Sequence, residues 1–181
     1  SGARRTLGRV DHADAFLDTH NLERARGITI FSKQAMLETA SRTITLVDSP
    51  GHVDFAAEAE RVLPILDCAV LVIGGQLQAH TMTLWQLLAR YHIPTILFVS
   101  KMDLPDKSRE ELMAQLQSQL STGCVDFGGD WDAVCEAAAM CDEALLETYL
   151  ETGIVTDGNI RELITNRRLF PCCFGSGLKL T

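Results

Sequence analysis

The sequence predicts an α/β fold, a mostly parallel sheet held between two layers of helices. Two features carry that reading. Unalternating apolar runs, such as Cys68 to Ile73 and Thr95 to Val99, are strand-length and read as strands covered on both faces. Between them, apolar residues recur at helical spacing on otherwise polar segments, as expected of helices that lay one face on a sheet. With 181 residues, 46% of them hydrophobic, the chain is about one domain long and can bury a core.

Taken in order, residues up to about Glu23 are mixed in charge and weakly periodic, and read as mostly loop. Ile28 to Leu37 and Arg42 to Val47 read as two antiparallel strands joined by a polar turn near Glu38 to Ser41. Phe55, Ala59, Val62 and Leu66 then mark a helix, followed by the strand Cys68 to Ile73. Leu84, Leu88 and Tyr91 mark a second helix ahead of the strand Thr95 to Val99, and Leu112, Leu116 and Leu120 a third. Ala133 to Met140, Glu143 to Leu150 and Ile160 to Arg168 continue as helices, and Leu169 to Phe174 closes as a strand. The acidic stretch Asp126 to Asp142 reads as an insertion packed by helices. Trp85 and Trp131 read as core or helix-packing residues, and Arg161, Arg167 and Arg168 as a solvated helix face.

Sixteen basic against 24 acidic residues give a net charge of −8, which opposes a general nucleic-acid-coating role but leaves room for a local contact with RNA. Six cysteines without a Cys-x-x-Cys pair read as reduced thiols, with Cys172 and Cys173 buried and inert. The longest apolar runs fall far short of the ~20 residues that span a bilayer. Ser1-Gly2-Ala3-Arg4-Arg5 has no apolar signal core, so a cytoplasmic protein is expected.

Parallel sheets bind ligands at the carboxyl ends of their strands, and here those ends carry unusual polar residues. Asp48-Ser49-Pro50-Gly51-His52 follows one strand, Ser100-Lys101-Met102-Asp103 another, and Gly175-Ser176-Gly177 the last; Arg26-Gly27-Ile28-Thr29-Ile30 leads into the first. Each suits a nucleotide with its magnesium. A strand-end aspartate is a hard oxygen ligand, and a glycine lets a backbone N–H approach a phosphate. A loop threonine completes a magnesium shell, and a histidine orients an attacking water. A carboxylate such as Asp103 can accept two N–H bonds from one edge of guanine, the Lys101 stem can lie against a base plane, and backbone near Ser176 and Gly177 can donate to a ring carbonyl. Singly, each string is also an ordinary turn, cap or strand start. Together, at successive strand ends, they point one way.

These strings resemble the switch I, switch II and base-reading motifs of translational GTPases of the elongation factor G branch, closest to the ribosomal protection proteins of tetracycline resistance. Ser1 to Arg4 and Leu22 to Gly27 are also similar, so the resemblance covers nearly the whole chain. It implies a P-loop NTPase-like G domain over residues 1–181, binding GTP and GDP and hydrolysing GTP on the ribosome. By position, Thr29 reaches Mg2+ and the γ-phosphate, and Asp48 holds Mg2+ through water. Gly51 gives its N–H to the γ-phosphate. His52 is the catalytic residue, placing the water under the sarcin-ricin loop of large-subunit RNA. Ser100, Lys101 and Asp103 form the guanine site, with Ser176 and Gly177 supporting. A monomer is expected.

Two departures qualify this. Ser100 stands where the family has Asn, losing an amide that braces the base site. No Gly-x-x-x-x-Gly-Lys-Ser/Thr phosphate loop occurs in these residues, and the Gly74-Gly75 and Gly128-Gly129 pairs do not supply it. The resemblance places the missing first strand mid-sheet, between the strands ending at Asp48 and Ile73, so a gap, poor stability and weak or no turnover are expected of this chain. The alternatives are a GTPase-like binding module or gene remnant without turnover, and a metal-dependent hydrolase using Asp48, His52 and Asp54. The scattered His12, His20, His80 and His92 do not extend that metal cluster.

Overall fold

The computed structural model describes residues 32–50, 56–104 and 108–177. Two compact units divide the chain, Ser1–Ile65 and Leu66–Thr181.

In the first unit, β1 (Lys33–Glu38) and β2 (Thr43–Asp48) pair antiparallel, from Lys33 opposite Asp48 to Glu38 opposite Thr43. The turn closes through Thr39, whose N–H and hydroxyl both donate to the Arg42 carbonyl at 2.8 and 2.9 Å. The expected start at Ile28 lies outside the described residues. Helix α1 (Ala56–Val62) tightens into one 3-10 turn, Leu63–Ile65, where Pro64 has no N–H to continue the α ladder. Ala59 and Leu63 form its buried side.

The second unit is α/β with a four-stranded parallel sheet. Its strands are β3 (Ala69–Ile73), β4 (Thr95–Val99), β5 (Cys124–Asp126) and β6 (Phe170–Phe174), in the spatial order β3-β4-β6-β5. The helices are α2 (Ala79–Arg90), α3 (Arg109–Gln119), α4 (Trp131–Ala139), α5 (Glu143–Thr152) and α6 (Asp157–Thr165). Strand geometry assigns them to layers. Cys124 and Phe170 are register partners, so their side chains share one face. Trp85 of α2 meets Phe170 edge-on at 4.6 Å, and the Cys124 thiol donates to the Leu116 carbonyl of α3, so α2 and α3 cover that face. Val125 points the opposite way, into a core with Val134 of α4, Leu145 of α5, and Ile160 and Leu163 of α6.

Helix ends follow local chemistry. Helix α3 starts on a capping box in which the Ser108 hydroxyl accepts from the Glu111 N–H and the Glu111 carboxylate accepts from the Ser108 N–H. Thr156 and Asn159 make the same box on α6, and the Asp142 side chain caps α5. Both α2 and α6 end on a left-handed residue that is not glycine, His92 (φ 55°) and Arg167 (φ 56°). The next N–H returns to the helix in each case, Ile93 to Leu88 and Arg168 to Leu163, each at 2.9 Å, satisfying carbonyls that a helix end leaves open.

Five expectations change. The run 68–73 is covered on one face only: Leu71 and Ile73 are buried, whereas Val70 and Val72 are 59% and 60% exposed. Trp131 is half exposed, its ring edge-on to Phe127. Arg167 is not on a solvated face. Its guanidinium lies 5.1 Å from the Trp85 ring and 5.2 Å from the Phe170 ring, and donates to the Ile93 carbonyl and the Thr95 hydroxyl. Cys124–Asp126 is a strand, because three residues become one only by pairing with β6. Cys172 is fully buried, and its contact with Cys124 together with burial pushes its thiol pKa up; Cys173, on the other face of β6, is half-buried. Among the described residues β2 and β3 belong to separate sheets, and no helix is long and apolar enough to cross a membrane.

Candidate guanine-nucleotide site

Because β3, β4 and β6 run parallel and adjacent, their carboxyl ends emerge together, and three loops meet there. Main-chain bonds stitch them. The Ser100 N–H donates to the Ile73 carbonyl at 2.8 Å, and the Ser100 hydroxyl reaches the same oxygen at 3.3 Å. Gly175 N–H donates to the Val99 carbonyl (3.0 Å), and Met102 N–H donates back to the Gly175 carbonyl (3.2 Å).

Between these bonds the Ser176 hydroxyl donates to Asp103 Oδ1 at 2.5 Å. Ser176 is buried and Asp103 half-buried, so the serine fixes one carboxylate oxygen from the protein side. Lys101 takes a left-handed conformation, φ 65°, as the chain turns back so that Leu104 N–H reaches the Lys101 carbonyl at 3.1 Å. Its Cε lies 4.0 Å from the point where a Cβ would stand on Gly74, so the exposed lysine stem crosses a residue without a side chain. A cleft of about 110 Å³ opens here, lined by Gly74, Gly75, Gln78, Lys101, Met102 and Leu104 among others. A roomier groove of about 320 Å³ lies between α5 and α6, but Arg168 and Asp142, which line it, are already paired with each other. The strand-end cleft opens beside Lys101 and Met102, between the loops after β3 and β4; Asp103 and Ser176 do not line it.

Of the site residues expected from the sequence, Ser100, Lys101, Asp103, Ser176 and Gly177 come together in this loop pair. Asp48 ends β2 in the other unit, half-buried. Thr29, Gly51 and His52 lie outside the described residues. Sequence reasoning did not single out Arg109, which lies against Phe174, the residue before the 175–177 loop. Its guanidinium makes two bonds to Asp126, Nε to Oδ2 at 2.6 Å and Nη2 to Oδ1 at 2.5 Å, and lies 4.9 Å from the Phe174 ring centroid. Burial raises the Asp126 pKa, but the Arg109 bonds and the Gly128 N–H outweigh it and hold the carboxyl below the usual carboxylate range. The available signal was only a basic residue in the first turn of a helix, where the macrodipole disfavours it.

Comparison with known proteins decides the family. Residues 1–181 match the family described as the Elongation factor Tu GTP binding domain. The chain belongs to that family. Among members, it is 34% identical over 165 residues to Tetracycline resistance protein TetP of Clostridium perfringens, covering 90% of this chain and 24% of that one. It is 31% identical to Elongation factor G of Mycoplasma genitalium (85% and 24% covered) and 39% identical to mitochondrial Ribosome-releasing factor 2 of Danio rerio (69% and 17%). The chain thus spans about a quarter or less of these relatives. A crystal structure of a Thermus thermophilus protein superposes with a TM-score of 0.84 at 22% identity, over 98% of this chain and 34% of that one. At that identity it speaks to fold alone. As a member of the Elongation factor Tu GTP binding domain family, the chain is a translation-factor G domain, and the family binds GTP and GDP.

Proposed function

We propose that Asp103, oriented by Ser176, reads the guanine edge of GTP and GDP, and that the Lys101 stem and the 175–177 backbone complete the base pocket. The observation that carries this is the 2.5 Å bond from the buried Ser176 hydroxyl to Asp103 Oδ1. An ionised carboxylate only accepts hydrogen bonds, and guanine presents N1–H and the N2 amino group as paired donors; adenine has no such pair. The role extends to GTP hydrolysis on the ribosome by the protein this domain serves. Asp48 supplies the hard, strand-end oxygen that suits water-mediated Mg2+, with Thr29 as the second ligand. Bound Mg2+ would neutralise phosphate charge. Gly51 donates its N–H to the terminal phosphate, and His52 orients the water next to the sarcin-ricin loop. We assign residues 1–181 as a partial G domain, monomeric and acting in the cytoplasm.

A second reading, guanine-nucleotide binding without turnover, is favoured by Ser100, which stands where the resembled family has Asn. Both readings require base recognition. An NMR titration of the chain with GDP is expected to shift the amides of 101–103 and 175–177, while ADP leaves them in place. Asp103→Asn, which presents an amide donor, is expected to lose the GDP response and gain one to xanthosine diphosphate, whose ring carries a carbonyl in place of the amino group. Equal responses to GDP and ADP would overturn the assignment. Phosphate release from GTP by the full-length protein that this domain serves, with and without ribosomes, then separates the readings: no turnover in either condition favours the binding module.

A further inference from the structure

We propose that Arg109, clamped by Asp126, is a positioning residue that holds the two base-site loops in register. The proposal rests on the base-site reading above, and on three observations.

First, Arg109 stands where both loops are anchored. It lies six residues after Asp103, in the first turn of α3, and its guanidinium covers the ring of Phe174, the last residue before Gly175-Ser176. One side chain therefore meets the strand leading into the serine loop, from a helix that follows the aspartate loop in sequence. Second, that side chain has little freedom. Two parallel N–H bonds at 2.6 and 2.5 Å fix the plane of its fork on Asp126, and Asp126 Oδ1 is held in turn by the Gly128 N–H at 2.9 Å. Third, the turn after β5 makes room for it. A Cβ on Gly128 would run into the Arg109 guanidinium, although φ at Gly128 is not in the left-handed region, so close approach is the reason this position suits glycine.

A general stabilising role fits these facts less well. Arg109 and Asp126 side chains are 37% and 27% exposed, and ion pairs so open to water contribute little to global stability. A cation in the first turn of a helix is also placed against the macrodipole. The pair gains most if it sets geometry, because Asp103 reads two donors of one base only when its carboxylate plane faces them squarely.

The test compares GDP with inosine diphosphate, whose base lacks the amino group and so offers Asp103 one donor instead of two. The wild-type chain is expected to prefer GDP by roughly tenfold, the scale of one lost hydrogen bond to a charged group. Arg109→Lys keeps the charge but not the fork, and Asp126→Asn keeps the shape but not the charge. Each is expected to bring the preference to about twofold or below while leaving thermal unfolding within a few degrees. Glu110→Gln, on the exposed neighbouring carboxylate, serves as control and is expected to change neither. Without nucleotide, the amide protons of Met102 and Gly175, whose bonds tie the loops, are expected to exchange about tenfold faster in both clamp variants. A wild-type chain that binds GDP and inosine diphosphate alike overturns the base-site reading and this inference with it. A wild-type preference that survives in both variants, or exchange that stays unchanged, overturns the clamp alone. A loss of preference accompanied by equal protection loss across the whole sheet makes the pair structural and also overturns it.

Discussion

Ser176 and Asp103 are 73 residues apart in sequence and share one proton-mediated bond of 2.5 Å. The serine is buried while the carboxylate is half-buried, so the bond costs the serine its water contacts and holds Asp103 at the edge of the loops, within reach of a ligand. Ser176→Ala is expected to lower GDP affinity roughly two- to tenfold, the range of one net hydrogen bond, measured by titration at constant pH. Asp126 gives a second residue-scale prediction. Its folded pKa is depressed, so the stabilisation from its pair with Arg109 is complete above the unfolded value of about 3.9 and drains as pH falls through the folded value. The wild type is expected to lose stability to acid more steeply than Asp126→Asn below about pH 4, and the two curves to run parallel between about pH 5 and 7. Parallel curves below about pH 4 would remove the pair from the acid response. Other residues have structural work only: Arg167, between Trp85, Phe170 and the 93–95 backbone, fastens the end of α6 to the sheet.

Among the elements, the helix starts matter most, because α3 delivers Arg109. The capping box of Ser108 and Glu111 closes two otherwise open N–H groups and fixes the first turn in which Arg109 sits. Ser108→Ala is expected to destabilise the second unit by about 1 kcal/mol, read by chemical unfolding. Helical spacing and turn chemistry announced α2 to α6 and the antiparallel pair β1-β2, with boundaries shifted by a few residues. Strand β5 was not announced, since three residues have no period to detect and pair only because β6 lies alongside.

At the largest scale, the exposed valines of β3 are the most consequential feature among the described residues. Among the described residues β3 pairs only with β4, and Val70 and Val72 stand more than half exposed beside it. Exposed apolar side chains clustered on one sheet face invite association between copies. Replacing both, Val70→Lys with Val72→Lys, is expected to reduce concentration-dependent light scattering of the chain while leaving its melting temperature nearly unchanged. A large fall in melting temperature would show these valines to be covered in solution.

The apolar runs, helical spacings and strand-end strings were enough to give the α/β class and the order of nearly all elements, and they named the residues proposed here for the base site. Those signals are local: each is written within a few consecutive residues, and backbone period converts them directly into faces and ends. The bond between Ser176 and Asp103, the Arg109–Asp126–Phe174 contacts, the half-burial of Arg167 and the exposure of Val70 and Val72 are different in kind. Each joins or leaves apart residues distant along the chain, and only the parallel packing order β3-β4-β6-β5 decides which of them meet.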